Sequence, residues 1–153
     1  LHGDTVIVNC DNDGGPGAAP AAHVALDKAT GKEGWSTPRD KGRGFSTPVL
    51  MKTATGRVDL LLNGPAGLLG YDPATGKERW RVMRSDPKDQ HQFGEPLPVT
   101  DGQHLFVLSG RTGPWQVVKM PNEGDVTKTH VLHTATRGKR DVCSPIVVDG
   151  RAY

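Results

Sequence analysis

Short apolar runs, each bounded by Gly, Pro, Asn or Asp, alternate with polar turns along the whole chain. Runs of this length between such residues predict β-strands joined in hairpins. The best-preserved unit spans 44–83, and its last run alternates polar and apolar positions, which predicts an edge strand with one packed face. The predicted strands of this unit are Phe45–Leu50, Val58–Leu62, Leu68–Tyr71 and Glu78–Val82.

The same order of runs recurs on both sides of this unit. The matching segments are Thr5–Val8 upstream, and Gly94–Leu97, His104–Leu108, Trp115–Val118, Val131–His133 and Cys143–Val148 downstream. Units of four antiparallel strands at this spacing are typical of the blades of a β-propeller. We therefore predict incomplete blades over about 1–37 and 141–153, and full blades over about 44–83 and 92–136.

The predicted fold class is all-β, a partial β-propeller of four-stranded antiparallel blades. The chain holds about three blades' worth of sequence, whereas roughly four to eight blades close a ring. An open arc leaves apolar faces and strand edges uncovered, so we expect this chain to be a piece of a longer protein.

One motif, Asp-x-x-Thr-Gly-Lys-x-x-Trp, occurs twice. Its Asp and Thr oxygens can accept hydrogen bonds from turn N–H groups, its Gly can take a left-handed conformation, and its Trp offers a large apolar surface. We interpret these residues as structural rather than as a cofactor platform. They are Asp27, Thr30, Gly31 and Trp35 in the first copy, and Asp72, Thr75, Gly76 and Trp80 in the second.

Composition and charge exclude several classes of protein. Apolar residues make up 35% of the chain, and its 20 Gly and 12 Pro favour turns over helices. A net charge of +2 is too small to steer the protein onto nucleic acid or anionic lipid. No apolar stretch is long enough for a membrane-spanning helix. Cys10 and Cys143 are interpreted as unpaired, partly buried thiols.

Two patterns resemble metal sites but lack essential ligands. The run from Asn9 through Asp11 to Asp13 and Gly14 begins like a calcium-binding loop, yet its twelfth position is Pro20 instead of Glu, so we predict a polar hairpin turn. In a strand, His130 and His133 would face opposite sides, and no third ligand accompanies them. We therefore predict no metal site.

Other polar patterns also lack the features of an active site. Gly70 to Lys77 is not a phosphate-binding loop, because its spacing is wrong and Glu78 replaces the required Ser or Thr. The serines lack a nucleophile elbow. The basic run Arg137–Arg140 is interpreted as a solvated connector, with a patch for an acidic partner as the alternative. We predict no catalytic and no cofactor-binding residue in this chain.

The repeated motif resembles the pyrroloquinoline-quinone-like (PQQ-like) propeller repeat. The sequence of the whole chain, for example at Leu1–Asp4 and Ser144-Pro145, is similar to that of bacterial PQQ-binding-like propeller proteins. These proteins share the fold of the outer-membrane-protein assembly lipoprotein. The resemblance implies a ring commonly of eight blades, in which each Trp docks against the next blade. The chain departs from this family pattern in two places, an insert rich in Gly, Ala and Pro over 14–22 and His133 near the third docking position. The second departure predicts either a weaker docking contact in the third blade or a His133 side chain partly buried between blades.

The resemblance implies a function as well as a fold. We expect a non-catalytic scaffold that binds proteins or other macromolecules in an extracytoplasmic compartment, the periplasm or cell envelope. The alternative is a fragment of a quinoprotein dehydrogenase whose active site lies in other blades. Such enzymes use a vicinal Cys–Cys pair, calcium and an Asp base, none of which can be matched here. A third option is an envelope sensor or a kinase-linked extracellular module.

Overall fold

The computed structural model describes residues 1–11, 20–39, 44–84, 94–110, 113–121, 123–135 and 143–153. Strands and turns dominate this part of the chain, and no helix in it is long and apolar enough to cross a membrane. The strands are β1 (Thr5–Cys10), β2 (Ala22–Asp27), β3 (Glu33–Pro38), β4 (Val49–Lys52), β5 (Val58–Asn63), β6 (Gly67–Tyr71), β7 (Glu78–Met83), β8 (Val99–Thr100), β9 (His104–Leu108), β10 (Trp115–Lys119), β11 (Gly124–Asp125), β12 (Val131–Ala135), β13 (Val147–Val148) and β14 (Arg151–Ala152).

The strands form successive antiparallel sheets that follow chain order. The first blade is β1-β2-β3, the second is β4-β5-β6-β7, the third is β8-β9-β10-β12, and β13-β14 is a separate hairpin. The chain is thus an all-β, partial β-propeller, as the repeat predicts. We call the contact between the first and second blades the first seam, and that between the second and third blades the second seam.

The central blade is apolar on both faces, because alternate residues of a strand point to opposite sides of the sheet. Along β5, Leu60 and Leu62 belong to a cluster with Tyr71, against which Ile7 and Trp35 of the first blade pack. Between them, Leu61 belongs to a second cluster, which includes Trp80 of β7 and reaches the third blade through Leu105, Val107 and Val118. This pattern explains why three consecutive residues of β5, Leu60–Leu62, are all leucine.

The first strand of the repeat pattern, which we call the innermost strand, begins later than the sequence predicts. Phe45–Pro48 lies outside the sheet, and β4 starts only at Val49. Likewise β8 starts at Val99, after the predicted Gly94–Leu97, and β13 starts at Val147, after Pro145. A proline contributes no N–H to a sheet, so pairing starts beyond it.

The pairing registers also change which prolines are equivalent. Val49 opposes Leu61 in the second blade, as Val99 opposes Phe106 in the third. Pro98 is therefore the counterpart of Pro48, although the sequence spacing of 48 residues predicts Pro96.

The predicted edge strand of the second blade is not an edge. Beyond β7 lies the two-residue strand β11, which pairs with it in parallel. The Val126 N–H extends this contact by donating to the Arg81 carbonyl at 3.0 Å. A segment of the third blade thus covers the polar edge of the second, which a strand-by-strand interpretation of the sequence does not predict.

Candidate functional site

The repeated motif builds the same turn twice. In the first copy, Asp27 Oδ1 accepts hydrogen bonds from the Thr30 hydroxyl at 2.6 Å, the Thr30 N–H at 2.8 Å and the Ala29 N–H at 3.1 Å. The bonds from Thr30 lower the pKa of the Asp27 carboxyl. Gly31 closes the turn with a φ of 71°, a left-handed conformation that suits glycine.

The second copy repeats the two backbone N–H contacts. Asp72 Oδ1 accepts from the Ala74 N–H at 2.8 Å and the Thr75 N–H at 3.2 Å. Burial raises the pKa of Asp72, but the Ala74 N–H and the Arg79 guanidinium outweigh it, and the net shift is downward. Gly76 has a φ of 68°. The motif therefore encodes a specific Asp-capped turn.

Trp35 lies across the first seam. Its indole N–H donates to the Pro73 carbonyl of the second blade at 3.2 Å. Its ring lies over Gly76, where an added Cβ would come within 2.7 Å of Trp35 Cδ2. Thr37 contacts the same turn, because its hydroxyl donates a hydrogen bond to the Gly76 carbonyl at 2.7 Å. The turn of one motif thus receives the Trp of the preceding motif.

Trp80 is held differently. It is fully buried, and its indole N–H donates to Asp59 Oδ2 of its own blade at 2.9 Å. The ring lies over Gly70, leaving no room for a Cβ there. Asp59 is itself fully buried and also accepts from the guanidinium groups of Arg57 and Arg79. The three donors to this carboxylate, from Arg57, Arg79 and Trp80, all belong to the second blade.

Two arginines each bind an asparagine of their own blade, and the sequence interpretation missed both pairs. Arg39 donates to Asn9 Oδ1 and Arg84 donates to Asn63 Oδ1, each at 2.6 Å. Each arginine follows its tryptophan by four residues, and each asparagine lies in the second strand of the repeat pattern. This repeated Trp-x-x-x-Arg spacing is the signal that could have revealed the pairs.

The two arginines differ in their surroundings. Arg39 also pairs with Asp11. Burial raises the pKa of the Asp11 carboxyl, and the Arg39 charge partly offsets this shift. Arg84 instead bonds the Ser109 hydroxyl of the third blade at 2.9 Å, and the Gly64 carbonyl. Burial lowers the pKa of Arg84 to about 10, which still leaves the guanidinium charged at neutral pH.

His23 is the most perturbed titratable group of the first seam. It is buried, its ring makes an edge contact with Tyr71 at 5.2 Å, and neither ring nitrogen has a hydrogen-bond partner within the described ranges. Burial, together with the nearby Arg39 charge, lowers its pKa to about 3. The imidazole is therefore neutral at physiological pH.

The candidate metal ligands do not converge. Asn9 donates to Asp11 Oδ2 at 2.7 Å, and Arg39 takes the other Asp11 oxygen, while Asp13 and Gly14 lie outside the described residues. Across the parts of the chain that the structure describes, no three His, Cys, Asp or Glu side chains form a group that could hold a metal ion.

Several other expectations need correction. His130 lies in the turn before β12 instead of in a strand. His133 is exposed, contrary to the predicted partial burial, and its ring lies 5.2 Å from that of Trp115. Cys10 and Cys143 are free, as predicted, but both are exposed and not partly buried. Arg137–Arg140 lies outside the described residues.

The loop from Gly70 to Lys77 is occupied by its own turn. Gly70 belongs to β6 and lies under the Trp80 ring, while the Gly76 N–H donates to the Asp72 carbonyl at 2.8 Å. A phosphate-binding loop requires free N–H groups aimed at a ligand. Two backbone carbonyls of this turn, those of Pro73 and Gly76, accept hydrogen bonds from Trp35 and Thr37 of the first blade.

Comparison with known families and proteins bears on the whole chain. A family model described as outer membrane protein assembly factor BamB matches residues 2–153. No curated protein matches the chain.

Proposed function

Because the chain belongs to the family of the outer membrane protein assembly factor BamB, we propose that it is a non-catalytic β-propeller scaffold that binds other proteins in the bacterial cell envelope. The match over 2–153 is the observation that carries the proposal. It covers the two seams and the turns between them.

The chemistry of the seams supports a scaffold. Asp59, the buried carboxylate of the second seam, is bound by two arginines and an indole N–H. General acid–base catalysis needs a titratable group that can reach a substrate and exchange a proton. Here the buried carboxylate is bound within its own blade, and the buried Arg84 bonds Ser109 of the third blade. We further propose that both copies of the motif, from Asp27 to Trp35 and from Asp72 to Trp80, are docking elements between blades.

Among the residues that the structure describes, no donor set matches the dehydrogenase alternative. The resemblance implies a vicinal cysteine pair against the quinone, whereas Cys10 and Cys143 are far apart in sequence. Asp11 and Asp59 are both bound by arginine. The residues present do not fit PQQ, and we derive no redox step from them.

Affinity capture of the full-length protein after crosslinking in the envelope tests the proposal. We expect a reproducible protein partner with the wild type and with Lys28→Ala, which removes only the exposed ion pair to Asp4. Trp80→Ala, which opens the second seam, should lose the partner. Absence of any partner of the wild type, or reduction of a redox dye on adding PQQ with calcium, would contradict the scaffold.

A further inference from the structure

A short turn recurs at one place in the repeat, between the innermost strand and the strand that follows it. It spans 54–56 between β4 and β5, 101–103 between β8 and β9, and 149–150 between β13 and β14. Every residue in these three turns is exposed, in the second and third blades as well as in the last hairpin. Exposure is therefore a property of this position in the repeat.

Two of these turns contain the dipeptide Asp-Gly, and their carboxylates have different surroundings. Asp101 Oδ1 accepts hydrogen bonds from the Gln103 N–H at 2.8 Å and the His104 N–H at 2.7 Å. Its Oδ2 lies 3.0 Å from His104 Nδ1, and this contact lowers the pKa of the Asp101 carboxyl to about 2. The Asp149 side chain, in contrast, makes no hydrogen bond or ion pair with any residue that the structure describes.

The amide that follows each aspartate differs as well. The Gly102 N–H donates to the Thr100 hydroxyl at 2.9 Å, whereas the Gly150 N–H donates no hydrogen bond within the described ranges. Among the described residues other than glycine, only Asp149 has a left-handed φ, of 49°, a conformation that a Cβ disfavours. An unbound carboxyl, an unbound amide and a strained backbone therefore lie together in one exposed turn.

We propose that Asp149 is a site of spontaneous isomerisation to isoaspartate. In this reaction the Gly150 nitrogen forms a bond to Cγ of the protonated Asp149 carboxyl, and the bond from Cγ to the hydroxyl breaks. The hydroxyl and the amide proton leave as water, and a five-membered succinimide ring remains. Water then opens the ring at either carbonyl, which gives aspartate or isoaspartate without any oxidant or reductant. Glycine favours the attack because no Cβ shields its nitrogen.

Isoaspartate changes the hairpin that contains it. The main chain then runs through Cγ, which adds one backbone atom between Val148 and Gly150. The two-residue turn that pairs Val148 with Arg151 has left-handed conformations at both of its central residues, as this type of turn requires. We expect the lengthened turn to lose this pairing. This inference concerns the turn alone and does not depend on the proposed envelope function.

Enzymatic labelling of isoaspartate tests the proposal. The full chain is incubated at mildly acidic pH, and an isoaspartyl methyltransferase then transfers labelled methyl groups to isoaspartate. Proteolysis and mass spectrometry assign the label to Asp149, to Asp101 or to Asp13, whose Asp-Gly pair lies outside the described residues. We expect at least about tenfold more label at Asp149 than at Asp101, because at Asp101 the hydrogen bonds of the carboxyl and of the next amide must first break.

Two matched variants and a denaturant show whether the fold causes the difference. Asp149→Glu cannot form the five-membered ring and should lose the label at that position, while Asp101→Glu should leave the label at Asp149 unchanged. In urea the wild-type chain should label Asp149 and Asp101 at similar rates, since only the folded state distinguishes them. The proposal fails if native Asp149 carries no label, if native Asp101 carries as much, if Asp149→Glu retains the label, or if the difference persists in urea.

Discussion

The two seams use the same motif and hold their tryptophans in different ways. Trp35 reaches across the first seam to the Pro73 carbonyl, whereas Trp80 bonds Asp59 within its own blade. The residue opposite each ring explains the difference. Gly70 leaves room for the Trp80 ring to lie flat on β6, but its counterpart Ala25 carries a Cβ in that space.

The second difference is in the bonding partners. The pairing registers place Thr5 at the position of Asp59, and the repeat places Gly34 at that of Arg79. The first blade therefore lacks the Asp–Arg pair that surrounds Trp80. The motif fixes the position of the tryptophan along its strand. The residues around the ring decide which blade accepts the hydrogen bond from the indole N–H.

The largest expected effect comes from removing the buried ring. Trp80→Ala should lower the free energy of unfolding by about 3–5 kcal/mol, because it empties a fully buried site. Trp35→Ala should cost about half of that, since Trp35 is only half-buried. Urea denaturation of both variants measures the difference, and equal losses would show that the two seams are equivalent.

Gly76 and Gly31 form a matched pair for testing the first seam. Both have a left-handed φ, of 68° and 71°, so alanine at either should cost about 1–2 kcal/mol from backbone strain. Only at Gly76 would the added Cβ also meet Trp35 and Thr37, and we expect about 2–4 kcal/mol in total there. Thermal unfolding of Gly76→Ala and Gly31→Ala compares them, and equal shifts would contradict a close contact of Trp35 with the turn.

An exchange of small residues tests why the rings lie differently. Gly70→Ala should destabilise by about 1–3 kcal/mol, because its Cβ would overlap the Trp80 ring. The reverse change, Ala25→Gly, should cost about 0.5–1 kcal/mol from backbone freedom in the unfolded chain. Quenching of Trp80 fluorescence by acrylamide should increase in Gly70→Ala only. An unchanged Trp80 signal would show that the ring does not depend on Gly70.

The remaining test concerns the pH response of the first seam. His23 has a pKa of about 3 when folded and an ordinary value when unfolded, so the unfolded chain binds the proton more readily. Its contribution to stability is complete above pH 6.5 and declines as the pH falls toward 3, by about 1.4 kcal/mol per pH unit. His23→Leu removes this proton. The difference between the wild-type and variant stability curves over pH 4–7 should therefore slope, and a flat difference would show that His23 titrates normally.

Much of the fold could be predicted from the sequence. The central strands β5, β6, β7 and β9 lie within a residue or two of their predicted bounds. Strand periodicity and turn chemistry are local properties, which explains this success. The prediction failed at the innermost strands, because an apolar run such as Phe45–Leu50 does not indicate where pairing starts.

The candidate site was predicted only in outline. The motif residues were identified, but the Asn63–Arg84 pair, the neutral His23 and the covering of β7 by β11 were missed. Each of these features depends on residues that are distant in sequence. The partner of a polar residue can therefore be identified only from the packed blades.

The sequence by itself determined the class of fold, the period of the repeat and the turn that each motif forms, because these follow from hydrophobic alternation and from the conformations open to Asp, Thr and Gly. Only the tertiary structure decided where Trp35 and Trp80 bind, since that depends on the space left by Ala25 or Gly70 on a neighbouring strand.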